Sequence, residues 1–128
     1  MLGPLGGDVD VISEHAGDAA TRKLLRSVFM KGLASVVIEA LRAAEAAGLE
    51  RWLWGNIVDE LTAAGLPMIS RMVQGTGPHA LRRLHEMEAS AELLTELGIE
   101  PVMTASTCES LRRVLRDGVP ELPLLEQS

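Results

Sequence analysis

From Asp18 to Ala47 the chain runs thirty residues without a proline, and its apolar positions recur at intervals of three and four. Leu24, Leu25, Val28, Phe29, Leu33, Val36, Val37, Ala40, Leu41 and Ala44 carry the pattern, and Gly48 stands where a helix C-cap belongs. The pattern predicts one long helix, opened by Asp18 as N-cap. Its apolar band is too wide for a helix that lies on a surface, so other elements are expected to wrap it. At ~1.5 Å per residue it is ~45 Å long, against ~36 Å for a compact domain of this length. Either it protrudes, or a second subunit or another domain covers part of it.

The rest of the chain reads as shorter helices. Glu50 to Ala64 predicts a second, burying Trp52 or Leu53, Ile57, Val58 and Leu61 and ending at Gly65. Pro67 opens a short third helix through Val73, and Gln74-Gly75-Thr76-Gly77 reads as a loop. A fourth helix runs from Pro78 to Leu97 before Gly98, with Leu81, Leu84, Met87, Ala91 and Leu94 as its buried stripe and an Arg82–Glu86 pair outside. A fifth, from about Thr104 to Asp117, packs Leu111, Val114 and Leu115, with Ser106 and Glu109 at capping-box spacing. Val119 to Ser128 reads as an extended tail. Ahead of the long helix, residues 1–7 are Gly and Pro punctuation. Asp8 to Ile12 alternates like one short strand, and His15 to Gly17 reads as a turn. A lone strand cannot satisfy its own backbone, so it implies a pairing partner outside this sequence or in a second copy. The expected fold class is all-α, a multi-helical bundle around one long helix with a short strand in front.

Composition narrows the function classes. The 128 residues suit one domain, 47% hydrophobic content is ample for a core, and a net charge of −6 disfavours a general nucleic-acid or anionic-membrane surface. The lone Cys108 forms no internal disulfide and fits a reducing, cytoplasmic setting. No segment has the length and apolarity of a membrane span, and MLGPLGGDVD is unlike a secretion signal. Against the acidic whole, Arg22, Lys23, Arg26 and Lys31 cluster with no acid between Asp18 and Glu39. Cations near a helix N-terminus oppose its dipole, while together they suit an anionic ligand and lower one another's proton affinity. Lys23, Ser27, Lys31, Ser35 and Glu39 fall at strict i+4 spacing, read as a polar row along one side of the helix. The plainer alternative is a solvated stripe whose long side chains snorkel over apolar neighbours. His85-Glu86 begins like a zinc-binding HExxH, but Ala89 stands where the second histidine belongs, so no metal site is expected. Gly75-Thr76-Gly77 lacks the preceding strand of a phosphate-binding turn.

Two stretches together resemble a family. Gly17-Asp18-Ala19-Ala20-Thr21-Arg22-Lys23, continuing to Ser27 and Glu39, is similar to the interdomain helix of the β-hydroxyacid dehydrogenases, which include 3-hydroxyisobutyrate and 6-phosphogluconate dehydrogenases. His85-Glu86-Met87 ahead of Leu97-Gly98 and Pro101 resembles a later helix of the same family, and the closest likeness is to a phosphogluconate dehydrogenase C-terminal-domain branch. The resemblance implies that residues 18–128 form the helical substrate-binding and dimerisation domain, and that residues 1–17 are the last strand and linker of a Rossmann domain otherwise absent from this sequence. It places Lys23 on the catalytic acid/base lysine and Glu39 on the family's helix glutamate. Ser27 stands where an asparagine is expected, and His85-Glu86 where Lys-Asp is expected. Ser27, Lys31, Glu39, His85 and Glu86 are thereby expected substrate contacts. The implied reaction is NAD(P)-dependent oxidation of a small anionic hydroxyacid, with NAD or NADP held by the missing domain and none by this chain alone, which is expected to be inactive by itself. A homodimer and an N-terminal Rossmann domain or separate chain are the implied partners. The alternative is a stand-alone helical module that dimerises or binds a partner without catalysis.

Overall fold

The computed structural model describes residues 11–125. The described residues are all-α: α1 (Val11–Ala47), α2 (Glu50–Thr62), α3 (Leu66–Gln74), α4 (Thr76–Glu96) and α5 (Val102–Asp117). Contacts divide the chain into one unit ending at Val36 and a second beginning at Val37, with α1 continuous through the boundary.

The expected front end needs correcting. Residues 8–10 of the expected strand lie outside the described residues, but Val11 and Ile12 are helical, and so are His15 to Gly17, read as a turn. Asp18 is therefore an interior residue, not an N-cap, and its carboxylate meets Arg22 one turn on at 3.8 Å. The reason is local. No proline interrupts the segment, and a single glycine amid alanines costs a helix only about 1 kcal/mol. A helix also satisfies its own backbone groups where a lone strand does not.

The C-terminal ends agree with the sequence reading. Gly48 has φ +73°, and the Gly48 and Leu49 N–H groups donate to the Glu45 and Ala44 carbonyls at 3.0 and 2.8 Å, closing α1 with a Schellman motif. Gly98, at φ +80°, closes α4 in the same way through Thr95 and Leu94. The loop expected at 74–77 shrinks to one residue, Gly75, between α3 and α4. A side chain there would sit 2.6 Å from the Arg71 carbonyl oxygen, so only glycine lets the two helices join so closely. Thr76 then starts α4, its hydroxyl donating to the Met72 carbonyl and accepting from Arg83 Nη1.

In the second unit, α4 and α5 lie along each other, joined by the short turn through Gly98, and α3 packs on α4. Their shared core is small: Leu84, Cys108 and Leu111, with Met87 against them. Ala44, Ala80 and Leu94 complete the buried apolar set among the described residues. Of the stripe expected on α4, Leu84 and Leu94 are buried, while Leu81 is exposed and Ala80 takes its place. Leu115 is exposed where burial was expected. Neither α2 nor α3 has a buried residue, and Trp52 and Trp54 expose more than half their surface. Arg112 bridges the hairpin, meeting Glu88 of α4 at 3.3 Å and Glu109 of its own helix at 2.7 Å, instead of the expected Arg82–Glu86 pair. After Gly118 the tail is irregular, with Val119 and Leu122 half-buried and Leu124 and Leu125 exposed.

Leu111→Ala removes a buried core side chain and should destabilise the chain by about 2–4 kcal/mol, whereas Leu115→Ala should cost less than about 1 kcal/mol. Urea unfolding of both variants checks the contrast, and equal losses would contradict the burial pattern.

Candidate functional site

The helix α1 carries two polar features that differ in kind. In the first unit, Arg22, Lys23, Arg26 and Lys31 are exposed and Ser27 is half-buried. Arg22 is held loosely by Asp18, both side chains mostly in water. Lys23, Arg26 and Lys31 make no ion pair among the described residues, so three cations stand free within three turns. Lys23 is exposed in the chain by itself. Leu25, Phe29 and Val36, on the opposite side of the helix from Lys23, expose between 42% and 64% of their surface, so this segment presents a cationic face and an uncovered apolar one.

Glu39 is the other feature. An i+4 row is not straight, because each step turns about 40° around an α-helix. Glu39 arrives on a buried face, 8% exposed, in the second unit.

Its carboxylate closes the front of α5. The N-cap position of that helix is Pro101, which has no side-chain acceptor. The first N–H, of Val102, donates to the Glu100 carbonyl at 3.0 Å, and that of Ala105 makes the first intrahelical bond, to Pro101, at 2.8 Å. The two between them have no partner within the helix. Glu39 supplies it: Met103 N–H donates to Oε1 at 2.8 Å, Thr104 N–H to Oε2 at 2.7 Å, and the Thr104 hydroxyl to Oε2 at 2.7 Å. These are the N2 and N3 amides that an N-cap side chain normally receives. Burial by itself penalises the charge, yet the Thr104 hydroxyl and the amides of Met103, Thr104 and Val102 outweigh it and hold the Glu39 carboxyl below the ordinary carboxylate range. The capping box expected from Ser106 and Glu109 is not used, because α5 begins four residues before Ser106.

Of the other expected contacts, His85 and Glu86 lie on α4 in the second unit, both exposed. Neither side chain forms a hydrogen bond or ion pair among the described residues; the Glu86 backbone carbonyl accepts from Ser90. Lys23, Ser27 and Lys31 are held on one helix in the first unit, and Glu39 is joined to α5, not to His85 or Glu86. Sequence reasoning missed Thr104 as a partner of Glu39. The available signal was a threonine three residues after Pro101, at the front of a helix without a cap of its own. No group of His, Cys, Asp and Glu among the described residues is arranged to hold a metal ion, and no described helix is long and apolar enough to cross a membrane.

Residues 44–114 match the family described as Domain of unknown function (DUF1932). Over 114 residues, 89% of its length, the chain is 25% identical to an uncharacterized 28.5 kDa protein in the 7S RNA 5'region of Methanothermus fervidus, and it spans 45% of that relative. No solved structure matches the chain.

Because the side chains of Lys23, Ser27 and Lys31 make no hydrogen bond or ion pair among the described residues, Lys23→Met, Ser27→Ala and Lys31→Met should each leave stability within about 0.5 kcal/mol of the parent. Chemical denaturation followed by circular dichroism tests this. A larger loss in any of them would mean a structural role absent from the geometry described.

Proposed function

The chain belongs to the DUF1932 family, the C-terminal domain of 3-hydroxyisobutyrate dehydrogenase-like proteins, and from that membership we propose that it serves as the substrate-binding and dimerisation domain of an NAD(P)-dependent hydroxyacid dehydrogenase. The observation that carries the reading is the exposed cationic face of α1, with Lys23 unpaired and Ser27 and Lys31 following it. The chain spans less than half of its Methanothermus relative, which leaves room there for a dinucleotide-binding domain. In this reading the nicotinamide cofactor, NAD or NADP, is bound by such a domain, in the same longer polypeptide or a separate one. Residues 18–128 form the helical domain, and this chain alone binds neither NADH nor NADPH.

Oxidising a hydroxyacid requires a hydride to leave for the nicotinamide while a base takes the hydroxyl proton; reduction needs the same group as acid. Lys23 is assigned that proton transfer. Its ammonium is exposed in the isolated chain, so the covering domain is what removes water from it and makes it a usable base. Lys31 and Ser27 contribute a cation and a hydroxyl for the substrate carboxylate, with His85 and Glu86 as further substrate contacts. Glu39 takes part indirectly: its oxygens are occupied by α5, so it orients the helix and does not face the substrate.

In the enzyme that carries its dinucleotide-binding domain, Lys23→Met should lower kcat by about 10²–10⁴-fold, the usual contribution of a general acid–base group, with folding and cofactor binding unchanged. Lys31→Met should raise KM more than it lowers kcat. Hydroxyacid-dependent reduction of NAD and NADP, followed by nicotinamide absorbance across a panel of small hydroxyacids, reads both. A well-folded Lys23→Met enzyme with near-parental kcat removes the assignment.

The apolar face of α1 at Leu25, Val28 and Phe29 supports the dimer, since single exposed leucines are ordinary but a stripe of large apolar side chains marks an interface. Light scattering at roughly tens of micromolar, a concentration that populates even a moderately weak association, should give the mass of two chains. Phe29→Glu should give the mass of one.

A further inference from the structure

The closure of α5 by Glu39 has an unusual feature. A buried carboxylate is commonly matched by a cation, yet every contact that stabilises this charge comes from a helix end and one hydroxyl, 63 to 65 residues away in sequence. On α1 the residues one turn from Glu39 are Ser35, Val36, Arg42 and Ala43, of which Arg42 alone is charged; it is exposed and in no ion pair among the described residues. At the front of α5 the neighbouring charged group is Glu100, also exposed. Among the described residues no arginine, lysine or histidine forms a hydrogen bond or ion pair with the carboxylate. The hydrogen bonds found between the end of α1 and α5 among the described residues thus rest on one ionised group, and the last turns of α1 supply what the start of α5 lacks.

We propose that the Glu39 carboxylate is an acid-released latch: ionised, it caps α5 and holds the Val37–Ala47 segment of α1 to that helix, and protonated, it lets go and the first turn of α5 frays. A carboxylic acid still accepts one hydrogen bond, but it turns one oxygen into a donor facing N–H groups that are donors themselves. It also gives up the favourable interaction of a negative charge with the helix N-terminus. The sign follows from the lowered affinity of Glu39 for a proton. The stabilisation is complete above the ordinary carboxylate value of about 4.3 and disappears as the pH falls through the lower folded-state value. The latch is independent of the enzymatic reading above, because it needs no substrate, cofactor or second chain.

Amide hydrogen exchange on the 128-residue chain, as protection factors corrected for the intrinsic pH dependence, is the test. At neutral pH the Met103 and Thr104 amides should be protected. On acidification below about pH 4, that protection should fall by about two- to thirtyfold, the fold-change equivalent of a lost helix cap, while Leu111 in the hairpin core keeps its own. In Glu39→Gln the protection at Met103 and Thr104 should be low at neutral pH and no longer respond to acid. Thr104→Val keeps both amide bonds and removes only the hydroxyl donor, so it should move the acid midpoint upward; this variant carries the test should Glu39→Gln fail to fold. The proposal is overturned by protection that is flat with pH in the parent, by loss at Leu111 in step with Met103 and Thr104, or by an unchanged midpoint in Thr104→Val.

Discussion

A carboxylate out of water and without a cation is tolerable in this protein because a helix leaves N–H groups that nothing within it can satisfy. Pro101 occupies the position from which α5 would ordinarily cap itself, and it brings no side-chain acceptor. Glu39 brings one from the far end of the sequence and finds two amides and a hydroxyl aimed at its oxygens. Each side relieves a cost borne by the other: a buried charge gains donors, and orphaned donors gain an acceptor. Where the apolar core amounts to a few leucines, a cysteine and small side chains, such a polar contact fixes geometry that packing leaves loose.

The thinness of that core is the second constraint. Helices here form from local causes: proline-free runs, the glycine-closed ends at Gly48 and Gly98, and the single-residue joint at Gly75. Only α4 and α5 bury much against each other. The tryptophans of α2 and the phenylalanine of α1 remain largely in water, an arrangement that pays hydrophobic cost for no internal gain. The chain belongs to a family that forms the C-terminal domain of dehydrogenase-like proteins, and exposed apolar stripes are in general where proteins meet partners.

The proposed chemistry is separated from the latch along a single helix. Apart from the loose Arg22–Asp18 pair, the clustered cations of α1 are in no ion pair among the described residues, which suits the proposed meeting with a substrate. The segment bearing Glu39 is committed to α5.

The sequence by itself determined the helical class, four of the five helices nearly to their ends, the glycine stops and the likeness that family membership supports. These depend on local terms: apolar spacing, proline and glycine punctuation, and residue order within a motif. The strand read over Asp8 to Ile12 failed at Val11 and Ile12, and the turn failed at His15 to Gly17, because a short alternation is weak evidence against a helix able to satisfy its own backbone. Only the tertiary structure decided which apolar residues are buried, since periodicity marks a face without saying what covers it; hence Ala80 is enclosed and Leu81 is not. It alone decided the partner of Glu39, because the uncapped front of α5 and its Thr104 do not say which residue, 65 positions away, comes to close it. A carboxylate that looked like part of a polar row is thereby the cap of a helix whose own sequence could not provide one.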